Sequence, residues 1–185
     1  AAPLRALNAV IDKNKWSDDW SALAGLDQRS LAIGVAGLAD FFAKKKISFE
    51  SEEAKQWNKD IFETIYYAAI YESNQLCMDG KYEPYSFFKG SPMSQGVFQF
   101  DMWGVDQSEL MWDWDSLKAS VKEYGICNSL FTAQMPVASS AKITGSYEMT
   151  EVIPSNLFNR RVVGGEFLIA NKDWIEDFED LGIWS

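Results

Sequence analysis

The sequence predicts an α/β fold, and three observations carry that prediction. Short apolar runs at residues 31–38, 126–133 and 161–170 have the length of buried strands. Segments of helical periodicity lie before, between and after them. Glycines at 34, 37, 125, 164 and 165 mark the changes from one to the other. Such alternation argues for α/β units with parallel strands. About three strands can be counted, too few to close a barrel that needs about eight or more. The chain therefore reads as an arc of something larger.

Each element follows from its local pattern. Leu4, Leu7, Val10 and Ile11 recur at helical spacing and predict an opening amphipathic helix. Residues 14–27 are polar and Trp-studded, and read as a loop. The run 31–38 reads as a buried strand turning into a helix through residues 39–46, with Gly34 and Gly37 allowing close packing. Ser51 suits an N-cap, and Glu52 and Glu53 suit the positive end of a helix dipole. That helix is predicted to run to about Leu76, with Trp57, Ile61, Ile65 and Ala68 on its buried face. Residues 80–96, rich in Gly, Pro, Ser and Tyr, form a long loop of a kind that is often functional. A helix over 114–124 stops at Gly125, and the strand 126–133 follows. Residues 136–140 are a loop, and Ala141 begins a short helix. The strand 161–170 carries a bulge at Gly164-Gly165, and a last helix over 173–181 is closed by Gly182. No internal repeat and no shift of composition divides the chain, so residues 1–185 read as a single piece.

Composition removes several classes of function. With 47% hydrophobic and 15% aromatic residues, the chain can build a core. A net charge of -10 repels a phosphate backbone and disfavours nucleic acid as a partner. There is no histidine, which excludes a Ser-His-Asp triad, a Cys-His dyad and the usual zinc sites. The two cysteines, Cys77 and Cys127, form no C-x-x-C, so neither a disulfide framework nor a metal cluster is indicated. No apolar run has the length of a membrane span and no signal peptide is visible, which predicts a cytoplasmic protein without a membrane partner. The opening Ala1-Ala2-Pro3 lacks Met, so processing or excision from a longer chain stays open.

The candidate chemistry is local. Pro136, Val137, Ala138, Ser139 and Ser140 lie after a predicted strand and before a predicted helix. A turn of small residues there exposes backbone N–H groups at the positive end of a helix and can bind an anion, with two serine hydroxyls as further donors. On pattern alone, a plain helix cap is the commoner reading. Cys127 reads as a small hydrophobe on a buried strand, with no activating neighbour, and Cys77 as a packing residue. Tyr66-Tyr67 read as core and near-surface aromatics. The acidic Asp173, Glu176, Asp177, Glu179 and Asp180 read as a solvated helix face opposite Trp174, Ile175 and Phe178. Arg160-Arg161 can grip a phosphate or form ordinary salt bridges.

An ordered series of segments resembles the large subunit of class I ribonucleotide reductases. Leu7-Asn8 with Val10-Ile11-Asp12 resembles an L-N-x-V-I-D helix, and IGVAGLADFF (33–42) an I-G-V-Q-G-L-A-D segment. NKDIFETIYY (58–67), GSPMSQGVFQFDMW (90–103) and YGICNSL (124–130) are similar to N-K-x-I-F-E-T-I-Y-Y, G-S-P-x-S-x-G-x-x-Q-x-D-M-W and Y-G-I-x-N-S-L. MPVASSA (135–141) and Asn159-Arg160-Arg161-Val162 follow in their expected places, and the series reaches Trp184.

The resemblance implies a partial arc of a ten-stranded α/β barrel, completed by other chains or missing segments. It implies radical-based reduction of ribonucleotides to deoxyribonucleotides, hence a role in DNA replication, with residues 136–140 cradling the substrate diphosphate. Val137 stands where the family usually has a hydroxyl residue, while Ser139 and Ser140 keep the other two. The family's radical cysteine lies in an N-x-C-x-E motif absent from this chain, and Cys127 stands where arginine is usual, so no residue here is assigned a catalytic role. The resemblance implies no cofactor and no metal bound by this chain. A radical-generating metallo-subunit, an external dithiol reductant and the remaining portions of the large subunit would complete the enzyme, and the chain is expected to be inactive alone. A split gene, an intein-interrupted gene or a cut piece of a longer chain would all give this sequence. The alternative is a non-catalytic scaffold or regulatory module derived from the same barrel.

Overall fold

The apolar stripe at the start of the chain becomes helix α1 (Ala2–Lys13), which buries Leu4 and Asn8. The computed structural model describes residues 2–148 and 150–183; Ala1 and Trp184, named above, lie outside the described residues. After α1 come α2 (Asp19–Gln28), α3 (Leu38–Lys44), α4 (Glu52–Met78), α5 (Gln99–Met102), α6 (Trp114–Tyr124) and α7 (Ala138–Thr144). A hairpin of β1 (Leu157–Val162) and β2 (Gly165–Ala170) precedes α8 (Lys172–Asp180). The chain forms two compact units, residues 1–33 with 57–133, and residues 34–56 with 134–185.

In the first unit the core gathers around Trp114. Its ring meets Phe98 and Tyr67 edge-on at centroid distances of 5.9 and 5.0 Å, and Phe100 at 4.6 Å. Leu4, Leu31, Ile70, Leu76, Val121 and Ile126 extend the same cluster. Helix α6 starts where Asp113 accepts from the Ser116 amide at 3.0 Å. It ends at Gly125, whose φ is +79°. A Cβ there would lie 2.5 Å from Cγ of Pro84, so only glycine fits.

Helix α4 starts where the sequence places it, with the Ser51 hydroxyl accepting from the Ala54 amide at 3.1 Å. Its buried face differs from the predicted one. Trp57 is exposed, and Ile61, Ile65 and Ala68 are half-buried, while Glu63, Glu72, Ser73 and Asn74 are buried. The physical reason is that these four polar groups have partners inside. One oxygen of Glu63 accepts from the amides of Met111 (2.6 Å) and Trp112 (3.1 Å) and from the Trp114 indole (3.0 Å). Asn74 donates to the carbonyls of Ser120 (3.2 Å) and Gly125 (2.8 Å). Glu72 pairs with Arg5, and Ser73 bonds to Asn128 at 2.9 Å.

The other departures also have local causes. Residues 19–28 are helical rather than a loop, because the Asp18 carboxylate caps the Ser21 amide at 2.8 Å. Trp20, Leu23 and Leu26 on this helix stay exposed, so it shows no buried stripe that periodicity could detect. Residues 31–33 and 130–133 lie side by side and parallel, with Leu31 and Ile33 donating to the carbonyls of Leu130 and Phe131 at 3.0 and 2.9 Å. They form a single bridge, Ile33 to Thr132, rather than two full strands.

In the second unit, α3 begins at Gly37, whose φ is +72°, and Phe42 packs edge-on against Phe49 at 5.8 Å. The expected bulge at Gly164-Gly165 is a hairpin turn instead. Val162 pairs with Gly165, leaving Val163 and Gly164 as the two-residue connection, and Gly165 takes φ +133°. The strands are therefore antiparallel, and among the described residues this is the one sheet. The expected arc of about three parallel strands is not seen among them. The expected solvated face of α8 holds for Glu176, Glu179 and Asp180. Asp177 pairs with Lys46, and Asp173 is buried with no partner for either oxygen among the described residues.

Glu63→Ala leaves the buried Trp114 indole and two part-buried amides without their acceptor. An unmet buried donor costs about 1–3 kcal/mol, so a loss on the order of 3 kcal/mol is expected in urea titrations read by tryptophan fluorescence. Glu63→Gln keeps one acceptor oxygen and should lose less than half of that. Equal losses for the two variants would show that Glu63 acts by charge and not as the acceptor of these three bonds.

Candidate functional site

The predicted site residues come together at the start of α7. Helix α7 begins at Ala138, three residues before the predicted Ala141, so Ala138, Ser139 and Ser140 form its first turn. Their amides have no intrahelical acceptor, as in any first turn. Val137 is the N-cap residue and offers no side-chain cap. Its own amide donates to the Glu148 carbonyl at 3.1 Å. The turn therefore presents three amides, not four, because Pro136 has none and that of Val137 is used. Pro136, Ala138, Ser139 and Ser140 are exposed and Val137 is half-buried. Three N–H groups, two hydroxyls and the positive end of a helix face the same solvent-accessible turn.

Beside the turn lies a cavity of about 400 Å³, lined among others by Ala138, Lys142, Tyr147, Glu148 and Arg160. Arg160 stands 3.7 Å from the Glu148 carboxylate. Arg161 pairs with Glu166 across the hairpin. Of the two arginines, only Arg160 lines this cavity. Lys142 is exposed and adds a second positive charge to the rim.

The remaining candidates lie in the first unit. Tyr67 stacks on Trp112 at 5.1 Å and on Tyr71 at 6.2 Å, and Tyr66 packs on Trp114 at 5.8 Å. Burial pushes both phenols above their ordinary value. Cys127 is fully buried, as expected of a packing residue. Its thiol donates to the Asn128 amide oxygen at 3.2 Å and its sulfur lies 3.4 Å from the Ser73 hydroxyl, so polar groups stand beside it. No group of three or more His, Cys, Asp or Glu side chains among the described residues stands together to hold a metal. No helix among them is long and apolar enough to cross a membrane.

Sequence reasoning missed the buried polar cluster next to Cys127. Asn128 donates to Asn8 Oδ1 (3.0 Å) and to the Arg29 carbonyl (2.7 Å), and accepts from Asn8 (3.2 Å) and Ser73 (2.9 Å). The Arg29 guanidinium donates to Asn8 Oδ1 (2.8 Å), the Asn8 carbonyl (3.0 Å) and Asp12 (2.7 Å), and lies 4.1 Å from the centre of the Tyr82 ring. Burial pushes Asp12 up, but the bonds from Tyr82 and Arg29 prevail and hold its carboxyl below the usual range. Burial and the Asp12 carboxylate push Tyr82 up to about 12. The signal was present as polar letters inside apolar segments: Asn8 and Asp12 in the first motif, Asn128 in YGICNSL.

Comparison with known proteins matches these motifs over the whole chain. The family model for the ribonucleotide reductase barrel domain covers residues 1–185. The ribonucleoside-diphosphate reductase large subunit of Acanthamoeba polyphaga mimivirus is 44% identical over 183 residues, 98% of this chain and 20% of that protein. The large subunit of Dictyostelium discoideum is 45% identical over 181 residues, 97% of this chain and 20% of that protein. Large chain 2 of Saccharomyces cerevisiae is 44% identical over 179 residues, 96% of this chain and again 20% of that protein. The chain spans about a fifth of the length of these relatives. With its motifs in order and the family matched from end to end, the chain belongs to the ribonucleotide reductase barrel-domain family.

Proposed function

We propose that this chain forms part of the catalytic barrel of a ribonucleotide reductase large subunit and that the turn 136–140 holds the phosphates of a ribonucleoside diphosphate. The observation that carries this reading is the first turn of α7, with three unengaged amides and two exposed serine hydroxyls. The names of the relatives specify the diphosphate. Phosphate oxygens would accept from the amides of Ala138, Ser139 and Ser140 and from the two hydroxyls, while Lys142 adds positive charge nearby.

The reading assigns no bond-breaking role to this chain. Its contribution is binding and orientation, which places the ribose of the substrate against a radical cysteine supplied by another part of the large subunit. The metal that generates the radical belongs to a separate small subunit, and the dithiol that restores the enzyme is external. Strands from the rest of the large subunit would complete the ten-stranded barrel. The hairpin supports this: Leu157, Phe167 and Leu168 are exposed at 52%, 52% and 67%, and a two-stranded sheet is marginal by itself. The enzyme would act in the cytoplasm, supplying deoxyribonucleotides for DNA replication.

Two outcomes test the reading. In the assembled enzyme, Ser139→Ala and Ser140→Ala should each weaken nucleotide binding about tenfold or somewhat more, since a hydrogen bond to a charged group contributes about 1.5–3 kcal/mol. Calorimetry reads this directly, and Val137→Thr should bind as well as the parent or slightly better. Parent-like binding by both serine variants would reduce the turn to a helix cap. The second outcome concerns assembly: the chain alone should show no reductase activity, and activity should appear when the remaining large-subunit portions and the small subunit are added. A complete mixture that stays inactive while folded and bound would favour the scaffold or regulatory alternative.

A further inference from the structure

The cavity of the second unit lies between one face of α7 and one face of the hairpin. Ala138, Lys142 and Gly145 line it and recur at helical spacing, so they share a face of α7. Phe158 and Arg160 alternate along β1 and share a face of the sheet, with Ile169 opposite Phe158. Apolar walls thus carry a small set of charged groups, and those charges are unbalanced. Lys142 and Arg160 line the cavity, and Lys172 donates to the carbonyl of Gly145. Against these cations, Glu148 is the one carboxylate in the lining among the described residues.

The ion pair inside the cavity does not satisfy itself. Arg160 Nη2 stands 3.7 Å from Glu148 Oε2, close enough for attraction and too far for a hydrogen bond. That oxygen is enclosed and accepts no hydrogen bond among the described residues. The two side chains remain exposed at 36% and 30%, and both border the cavity. A guanidinium that needs acceptors and a carboxylate that needs donors therefore face the same space.

We propose that this cavity binds a phosphate group in its protonated form. The phosphate oxygens accept from the planar fork of Arg160 and face Lys142, while the P–O–H group donates to the Glu148 carboxylate. A carboxylate in an anion site repels a guest without a proton and attracts one that brings a proton. Inorganic phosphate and the terminal phosphate of a nucleotide can both carry that proton near neutral pH, and sulfate cannot. The volume of about 400 Å³ leaves room beyond a single phosphate for whatever the phosphate is attached to. Ser139 and Ser140 do not line this cavity, so the proposal does not rest on the reading of the turn 136–140.

The test titrates the full chain, together with any chains that copurify with it, by calorimetry at neutral pH and constant ionic strength. Inorganic phosphate should bind at least about tenfold more tightly than sulfate, the contribution of one hydrogen bond to a charged group. Glu148→Gln replaces the acceptor by an amide that can also donate, so this variant should gain sulfate binding and largely lose the preference. Such a gain cannot come from misfolding. Arg160→Gln should weaken both anions on the order of tenfold, whereas Ser139→Ala should leave the preference as it is. A saturating ribonucleoside diphosphate identifies the source of the phosphate. It displaces inorganic phosphate if the cavity takes the nucleotide's own terminal group, and leaves it bound if the cavity takes a free ion. Equal binding of phosphate and sulfate by the parent chain, or no phosphate binding, would overturn the proposal. So would a Glu148→Gln chain that rejects sulfate as the parent does.

Discussion

The side chain of Asn128 is the constraint on which the first unit depends. It is fully buried, and a buried primary amide is tolerated only when both its donor and its acceptor sides are met. Here they are met by three separate pieces of chain: Asn8 on α1, Arg29 at the end of α2 and Ser73 on α4. A partner missing on any of the three would leave a polar group stranded in a dry interior. The apolar cluster around Trp114 supplies a driving force without a direction, and this hydrogen-bonded centre fixes which elements meet and in what register. Arg29 shows how closely the register is held. It takes a left-handed φ of +43°, unusual for a residue that is not glycine, and so turns its carbonyl to Asn128 and its guanidinium to Asn8 and Asp12.

The same arrangement explains why the run 126–133 is not a long strand. Two backbone amides, those of Cys127 and Asn128, are taken by the Ser73 hydroxyl. They cannot also serve a neighbouring strand. Pairing begins only further along, at Leu130 and Phe131 beside Leu31 and Ile33. The chain then continues to the turn at 136–140, where the first amides of α7 have no intrahelical acceptor. The contrast is physical: the first unit meets its buried amides Asn8, Asn74 and Asn128 internally, and the exposed first turn of α7 has no intrahelical acceptor for its donors.

Element existence was largely legible in the sequence. The caps Ser51 and Asp113, and Gly125 with its positive φ, act through neighbours in the chain, so α4 and α6 are found close to where periodicity and capping place them. Failures arose where distant partners decide. Helix α2 buries no apolar stripe, and α4 turns Glu63, Ser73 and Asn74 inward to partners that lie far along the chain. The apolar run 161–170 marked strand, but it holds the end of one strand and the whole of the next, and their pairing direction depends on the two-residue turn, which was misread as a bulge. The turn 136–140 was legible as a candidate from its small residues, and its weight came from the ordered motifs around it. The contact of Ser73 with Cys127 and Asn128 could not be read, because nothing in either local segment refers to the other.

Hydrogen–deuterium exchange on the assembled enzyme tests most directly whether the first turn of α7 holds the substrate phosphates. Amides that donate to a bound anion exchange more slowly than amides that donate to water. A ribonucleoside diphosphate should slow exchange at Ala138, Ser139 and Ser140 severalfold, while the matching nucleoside without phosphates should not. Exchange at Val137, whose amide is already bonded to Glu148, should be unchanged by either. Unaltered exchange at all three amides, at a nucleotide concentration that saturates the enzyme, would contradict the account.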